Sequence, residues 1–146
     1  MRRVPHGVAV LTVDVDGARL GLTLDSLVSL SLEPPLLGVS ISRQAAMHEL
    51  LREAGAFAVS LLAGDQAAVA QHFARGVPPI AMWHGIELRP DNGPPLLAGA
   101  LGWARCRMVA EHPAGDHTVF LGEVDWVEGG EPRPPLLHVD GGYRSL

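Results

Sequence analysis

Lysine is absent from this chain and cysteine occurs once, at Cys106. A single thiol excludes an internal disulfide framework and fits a reducing compartment, so a cytoplasmic location is expected. All eleven basic residues are Arg, none cluster beyond Arg2-Arg3, and the net charge is −5. That balance argues against a nucleic-acid surface. Charged residues are only 18% of the chain, below the roughly 25% of an average soluble domain. A small domain short of surface charge often hides part of its surface in an oligomer, so at least a dimer is expected. No apolar run approaches the ~20 residues of a membrane span, and no charged-then-apolar leader precedes the first strand. There is no Cys pair and no His-Glu-x-x-His, which argues against a catalytic zinc. A Gly-x-Ser-x-Gly elbow, a Gly-x-Gly-x-x-Gly turn and a Walker loop are also missing, so neither a serine hydrolase nor a Rossmann or P-loop nucleotide site is expected.

What the chain does have is apolar strand pattern. With 146 residues, 47% of them hydrophobic, it reads as one domain over residues 1–146 with a self-sufficient core. Gly7 to Val15 alternates in the β manner, and Asp16-Gly17 is a hairpin turn signal. The chain returns from Leu20 to Ser31, turns at Pro34-Pro35 and continues as a strand from Leu36 to Ser42. Ser42 is read as a helix N-cap, Met47, Leu50, Leu51 and Ala54 as one apolar helical face, and Gly55 as its stop. Phe57 to Leu62 reads as a strand, and Asp65 as the cap of a second helix. Gly76 to Gly99, rich in Pro and Gly, reads as a long irregular connection of the kind that is usually functional or interface-forming. Leu101–Ala110 and His117–Val127 pair as a hairpin across Pro113-Ala114-Gly115, and Leu136–Val139 is a last strand before a Gly-Gly-Tyr-Arg tail. Six or seven hairpin-connected strands and two helices suggest a closed antiparallel barrel.

Three blocks carry candidate chemistry. In Leu22-Thr23-Leu24-Asp25-Ser26-Leu27 hydroxyls recur at strand spacing between apolar residues; taken alone this is an edge strand with solvated hydroxyls, or one whose polar groups meet a polar ligand. Ser40-Ile41-Ser42-Arg43 runs from strand end to helix start, where free N–H groups and a full cation suit a phosphate, although a plain cap with a solvated Arg reads the same way. In Gly115-Asp116-His117-Thr118, His117 opens a strand beside a flexible turn; taken alone it is a loop histidine in solvent, or one whose ring reaches a ligand with Asp116 to hold its tautomer.

Taken together and in this order, the blocks resemble the flavin reductase family, short enzymes that reduce free flavin with a nicotinamide. The resemblance runs from about Val4 to Leu146. It implies a mainly β fold, a six-stranded antiparallel split barrel with two or more peripheral helices, working as a homodimer. It implies FMN or FAD and NADH or NADPH as cofactors, hydride transfer to flavin N5, and a flavin-dependent monooxygenase as a possible partner. It further implies that Leu22, Thr23, Leu24, Asp25, Ser26 and Leu27 border the flavin ring and ribityl chain. Ser40, Ile41, Ser42 and Arg43 would lie at its phosphate, and His117 near the nicotinamide. Tyr143, in a matching tail, either packs on a ring or seals the barrel end. The family usually carries Asn where this chain has Asp25, and often Phe where it has Leu27. The alternative reading is a non-catalytic flavin binder or electron carrier on the same barrel.

Overall fold

Period-two apolar patterning decides most of the chain. In the computed structural model, which describes residues 1–146, the elements are β1 (His6–Gly7), β2 (Ala9–Val15), β3 (Ala18–Leu24), β4 (Val28–Leu32), β5 (Pro35–Ser42), α1 (Ala46–Ala54), β6 (Ala56–Leu61), α2 (Ala67–Ala74), β7 (Leu88–Arg89), β8 (Leu96–Leu97), β9 (Gly102–Ala114), β10 (His117–Gly129), β11 (Leu136–Val139) and β12 (Gly142–Ser145).

Strand β2 shows why this arrangement is stable. Ala9, Leu11 and Val13 face one core together with Val39, Ile41, Phe57 and Phe120. Val8 and Val10 point the other way, into a second core shared with Phe73 of α2, Leu97 and Leu136. From Ala9 to Val13 the strand is therefore buried on both faces. The tight turn to β3 uses Asp16 and Gly17, both at positive φ (51° and 88°), as a two-residue hairpin whose twist matches the flanking strands requires.

The large sheet has the order β3-β2-β6-β9-β10-β5-β4, and every pairing in it is antiparallel. Its two outermost strands, β3 and β4, are consecutive in the chain and separated only by Asp25, Ser26 and Leu27. The four peptide units from Leu24 to Val28 span at most about 14 Å. The opposite edges of the sheet are therefore drawn together at that end, and the sheet curls around its core. β3 and β4 themselves do not pair. The expected mainly β, antiparallel architecture is present; the large sheet has seven strands, keeps two free edges and is not closed by hydrogen bonds into a barrel.

Several local readings also change. The expected strand from Leu20 to Ser31 is two strands, broken at Asp25–Leu27, because the chain must leave one sheet edge and join the other. Ser42 is not a helix cap. It is still in β5, opposite His117, and α1 begins only after Ala45, which makes no side-chain cap. Asp65 does not cap α2 either, since its carboxylate pairs with Arg133 at 2.9 Å. Gly55 does end α1 at φ 66°, donating its N–H to the Leu51 carbonyl, as a left-handed cap should. The tail after Leu136–Val139 forms the additional strand β12, and a second Asp-Gly turn (Asp140, φ 53°; Gly141, φ 77°) joins the two. No helix is long and apolar enough to cross a membrane.

Candidate active site

The segment between the two sheet edges is tied down by one side chain. Ser26 Oγ accepts from the Ser40 backbone N–H at 3.0 Å and donates to the Ser40 carbonyl at 3.1 Å. β4 pairs with β5 only as far as Val28 opposite Gly38, so the hydroxyl supplies the partner that a longer β4 would have given Ser40. Thr23 is engaged similarly, its hydroxyl donating to the Ala70 carbonyl of α2 at 2.5 Å. Both hydroxyls read from the sequence as ligand groups thus first satisfy the protein's own backbone. Of the rest of that block, Leu24 is buried in the core, Leu22 and Leu27 pack at its margin, and Asp25 is exposed.

Across the seam, β5 and β10 set the second and third blocks side by side. Ser42 opposes His117 and Ser40 opposes Val119, and directly opposed residues share a face. Ile41, one step away, turns inward and is 1% exposed. Ser42 Oγ accepts the Gln44 N–H at 3.2 Å, while the Arg43 backbone N–H donates to the Asp116 carbonyl at 3.0 Å, locking the strand end to the β9–β10 turn. The Arg43 side chain is exposed and lines a mainly polar cleft with His48, Glu49, Arg52, Glu111, Pro113 and Thr118. In that cleft buried His48 contacts Thr118 Oγ1 at 2.7 Å and Glu49 Oε1 at 3.0 Å. His117 Nδ1 lies 2.7 Å from Asp116 Oδ1, and this bond, then the nearby imidazole charge, holds the Asp116 carboxyl below its ordinary range. The expected pairing of the two is present.

One residue of the site was missed in the sequence. Asp25 Oδ2 lies 2.8 Å from Nδ1 of His138. His138 in turn opposes Tyr143 across the β11–β12 hairpin, their ring centroids 5.5 Å apart. The Asp140-Gly141 turn was the available signal: read as a hairpin like Asp16-Gly17, it puts residues 138 and 143 opposite one another. Tyr143 also packs against the second core, and its phenol is pushed up from the usual value, first by burial and then by the Asp25 carboxylate. Asp25, His138, Tyr143, Thr23 and Leu24 together line a small cleft of about 160 Å³ beside the seam. The chain therefore brings all three blocks to one region, around the Asp25–Leu27 crossing and the adjoining ends of β5 and β10. No group of three or more His, Cys, Asp or Glu is arranged to hold a metal ion.

Residues 1–146 match the flavin reductase like domain. The chain belongs to the flavin reductase family. It is 41% identical to the reductase component of 4-hydroxyphenylacetate 3-monooxygenase from Thermus thermophilus, over 100% of this chain and 92% of that one. It is 40% identical to an NADH-dependent flavin reductase of Rhodococcus, over 99% of this chain and 81% of the relative. Among solved structures, the NADH:FAD oxidoreductase of Streptomyces globisporus C-1027 superposes with a TM-score of 0.92 at 35% identity, covering 99% of this chain and 87% of that one. A second structure of that oxidoreductase, a complex with NAD and FAD fragments, gives the same TM-score at 34% identity over 97% of this chain and 86% of the other. The three candidate blocks of this flavin reductase lie at a sheet seam and not in a Gly-rich loop.

Proposed function

We infer that this chain is an NAD(P)H:flavin oxidoreductase that reduces FMN or FAD and supplies the reduced flavin to a separate monooxygenase. The observation that carries this is similarity along the whole chain, in sequence and in fold, to NADH-dependent flavin reductases and monooxygenase reductase components.

The residues present fit a flavin. Arg43 offers an exposed guanidinium outside the ion pairs that occupy Arg52, Arg105 and Arg107, and with Ser42 beside it suits a phosphate. The outer edge of β3, unpaired on that side, offers backbone N–H and C=O groups to a polar ring. The ligand contacts of Thr23 and Ser26 are therefore assigned to their backbone, with Asp25 supplying a side-chain acceptor. His117, oriented by Asp116, faces the nicotinamide, and Tyr143 packs at the ring edge. When bound, the two cofactors would supply the chemistry, hydride transfer from nicotinamide C4 to flavin N5. The chain's task is to hold both rings in register and exclude water, which needs no acid–base pair.

The curled sheet is read as a split barrel and the working form as a homodimer in the cytoplasm. Support for the dimer comes from β4, an edge strand whose Val28, Leu30 and Leu32 are 46%, 48% and 89% exposed. Beside it lies an apolar groove of about 430 Å³ that includes Leu36, Leu61 and Val127. Patches of this kind mark interaction surfaces.

The test is oxidation of NADH and of NADPH by the purified protein, with and without added FMN or FAD. Flavin-dependent turnover with excess free flavin is expected. Flavin binding without turnover would favour the carrier reading, and oxidation of neither nicotinamide with either flavin would overturn the enzymatic one.

A further inference from the structure

Not all of the outer edge of β3 is open. The two-residue turn at Asp16-Gly17 puts Ala18, Leu20, Leu22 and Leu24 in the hydrogen-bonded pairs with β2, so the backbone groups of Arg19, Gly21 and Thr23 face outward. Two side chains from the connection between α2 and β7 close the first two of these positions. The Gly21 N–H donates to Met82 Sδ at 3.2 Å, and Trp83 Nε1 donates to the Arg19 carbonyl at 3.1 Å. Met82 is 5% exposed, and its own carbonyl lies 2.6 Å from Nε2 of His72 on α2. A Cβ at Gly21 would lie 2.8 Å from the Phe73 ring and 3.3 Å from that of Trp83, so the cap is packed tightly onto the strand. It stops there. At Thr23, the next outward residue, the hydroxyl donates to the Ala70 carbonyl, and the residue opens on the cleft that it shares with Asp25 and Tyr143.

We propose that Met82 and Trp83 are positioning residues that set the register of flavin binding. By occupying the Arg19 and Gly21 positions they leave Thr23 as the one place on the β3 edge where the ring can dock. This rests on the flavin reductase reading given above. The pyrimidine edge of a flavin carries an N–H flanked by two carbonyls, and the outward C=O and N–H of a single strand residue match an adjacent donor and acceptor of that edge. Every outward residue of an edge strand offers the same pair, so the backbone alone does not distinguish Thr23 from Gly21. The difference matters for the reaction. Neighbouring outward residues are about 6.6 to 6.8 Å apart, whereas hydride transfer needs the reacting atoms about 3 to 3.5 Å apart. A ring held one position along the edge is therefore out of reach of a nicotinamide at His117. The cap removes that position by satisfying the Gly21 N–H with a thioether, an acceptor that brings no donor of its own.

The experiment is amide hydrogen exchange followed by NMR, with and without saturating FMN, on the unaltered protein and on Met82→Ala. Rates are taken relative to Leu22, whose N–H is bonded within the β2–β3 ladder, so that any general change in stability cancels. In the unaltered protein FMN should slow Thr23 by at least about tenfold and leave Gly21 within about twofold. Met82→Ala removes the acceptor and opens the position. Without flavin, Gly21 should then exchange at least about tenfold faster, and FMN should slow it together with Thr23. With two competing positions of equal affinity only half of the bound flavin is productive, so kcat and the KM for flavin should both fall about twofold and kcat/KM should hold. The deciding result is protection of Gly21 by FMN in the variant and not in the unaltered protein. A Met82 that merely fills the core gives protection at Thr23 alone in both proteins, which overturns the inference. Protection of Gly21 by FMN in the unaltered protein also overturns it, because the ring would then have displaced the cap. If the Ala variant does not fold, the unaltered protein decides: slowing at Thr23 alone upholds the register, and slowing at Gly21 or at neither refutes it. Failure of the unaltered protein to retain FMN in equilibrium dialysis overturns the flavin reading itself, so the two failures are distinguishable.

Discussion

Removing one hydroxyl at the seam tests both the fold and the site. Ser26→Ala deletes the two hydrogen bonds that tie the Asp25–Leu27 crossing to Ser40. Each such bond contributes about 0.5 to 1.5 kcal/mol net. Because Ser26 is only half-buried, water can replace part of what is lost, and the expected cost is about 1 to 2 kcal/mol. For a domain of this size a loss of 1 kcal/mol lowers Tm by about 2–4 °C, so thermal unfolding should shift down by roughly 3–6 °C. Flavin turnover should show a raised KM for flavin with kcat changed less, because the loosened crossing carries Asp25 while His117 and Ser42 remain fixed by β10 and β5. Ser26→Thr keeps the hydroxyl and should recover most of both effects. The reasoning is refuted if the Ala variant melts within about 1 °C of the unaltered protein, since Ser40 would then need no partner at the point where β4 stops.

Cys106 is 1% exposed, and burial, with a smaller contribution from Asp125, pushes its thiol up to about 12; the folded protein should therefore resist a thiol-specific reagent at pH 8 and titrate as one thiol only after denaturation. Tyr143 is the only tyrosine, so a phenolate absorbance titration reports on it alone. Its folded value lies above the ordinary one, so it favours folding below the unfolded pKa and that contribution is lost as pH rises through the folded value. Asp25→Asn should move the midpoint down, but not to the ordinary value, because burial is the larger cause. An unmoved midpoint would mean that Asp25 does not face the phenol.

Local chemistry makes much of this fold legible in the chain itself. The Asp16-Gly17 and Gly115 turns, the apolar face of α1 with its Gly55 stop, and the long β9–β10 hairpin all follow from interactions between residues close in sequence, and all are present. The candidate blocks are also readable, because Leu22–Leu27, Ser40–Arg43 and Asp116–His117 are short runs whose residue types stand out. Cap assignments fail at Ser42 and Asp65. A serine before a helix and a serine at the end of a strand look alike locally, and only the pairing of Ser42 with His117 distinguishes them. The same limit applies to the strand count, since an apolar run from Leu20 to Ser31 carries no mark of the edge it must cross.

The sequence by itself determined a mainly β fold, through strand periodicity and turn residues, and its blocks resemble those of the flavin reductase family in their order. The tertiary structure alone decided what each side chain of those blocks does. Hydroxyls at Thr23 and Ser26 turn to backbone carbonyls and amides that lie 47 and 14 residues away, and the partner of Asp25 lies 113 residues away. Contacts at such separations leave no periodicity in the chain; they exist only because the large sheet, helix α2 and the β11–β12 hairpin are packed together around the Asp25–Leu27 crossing.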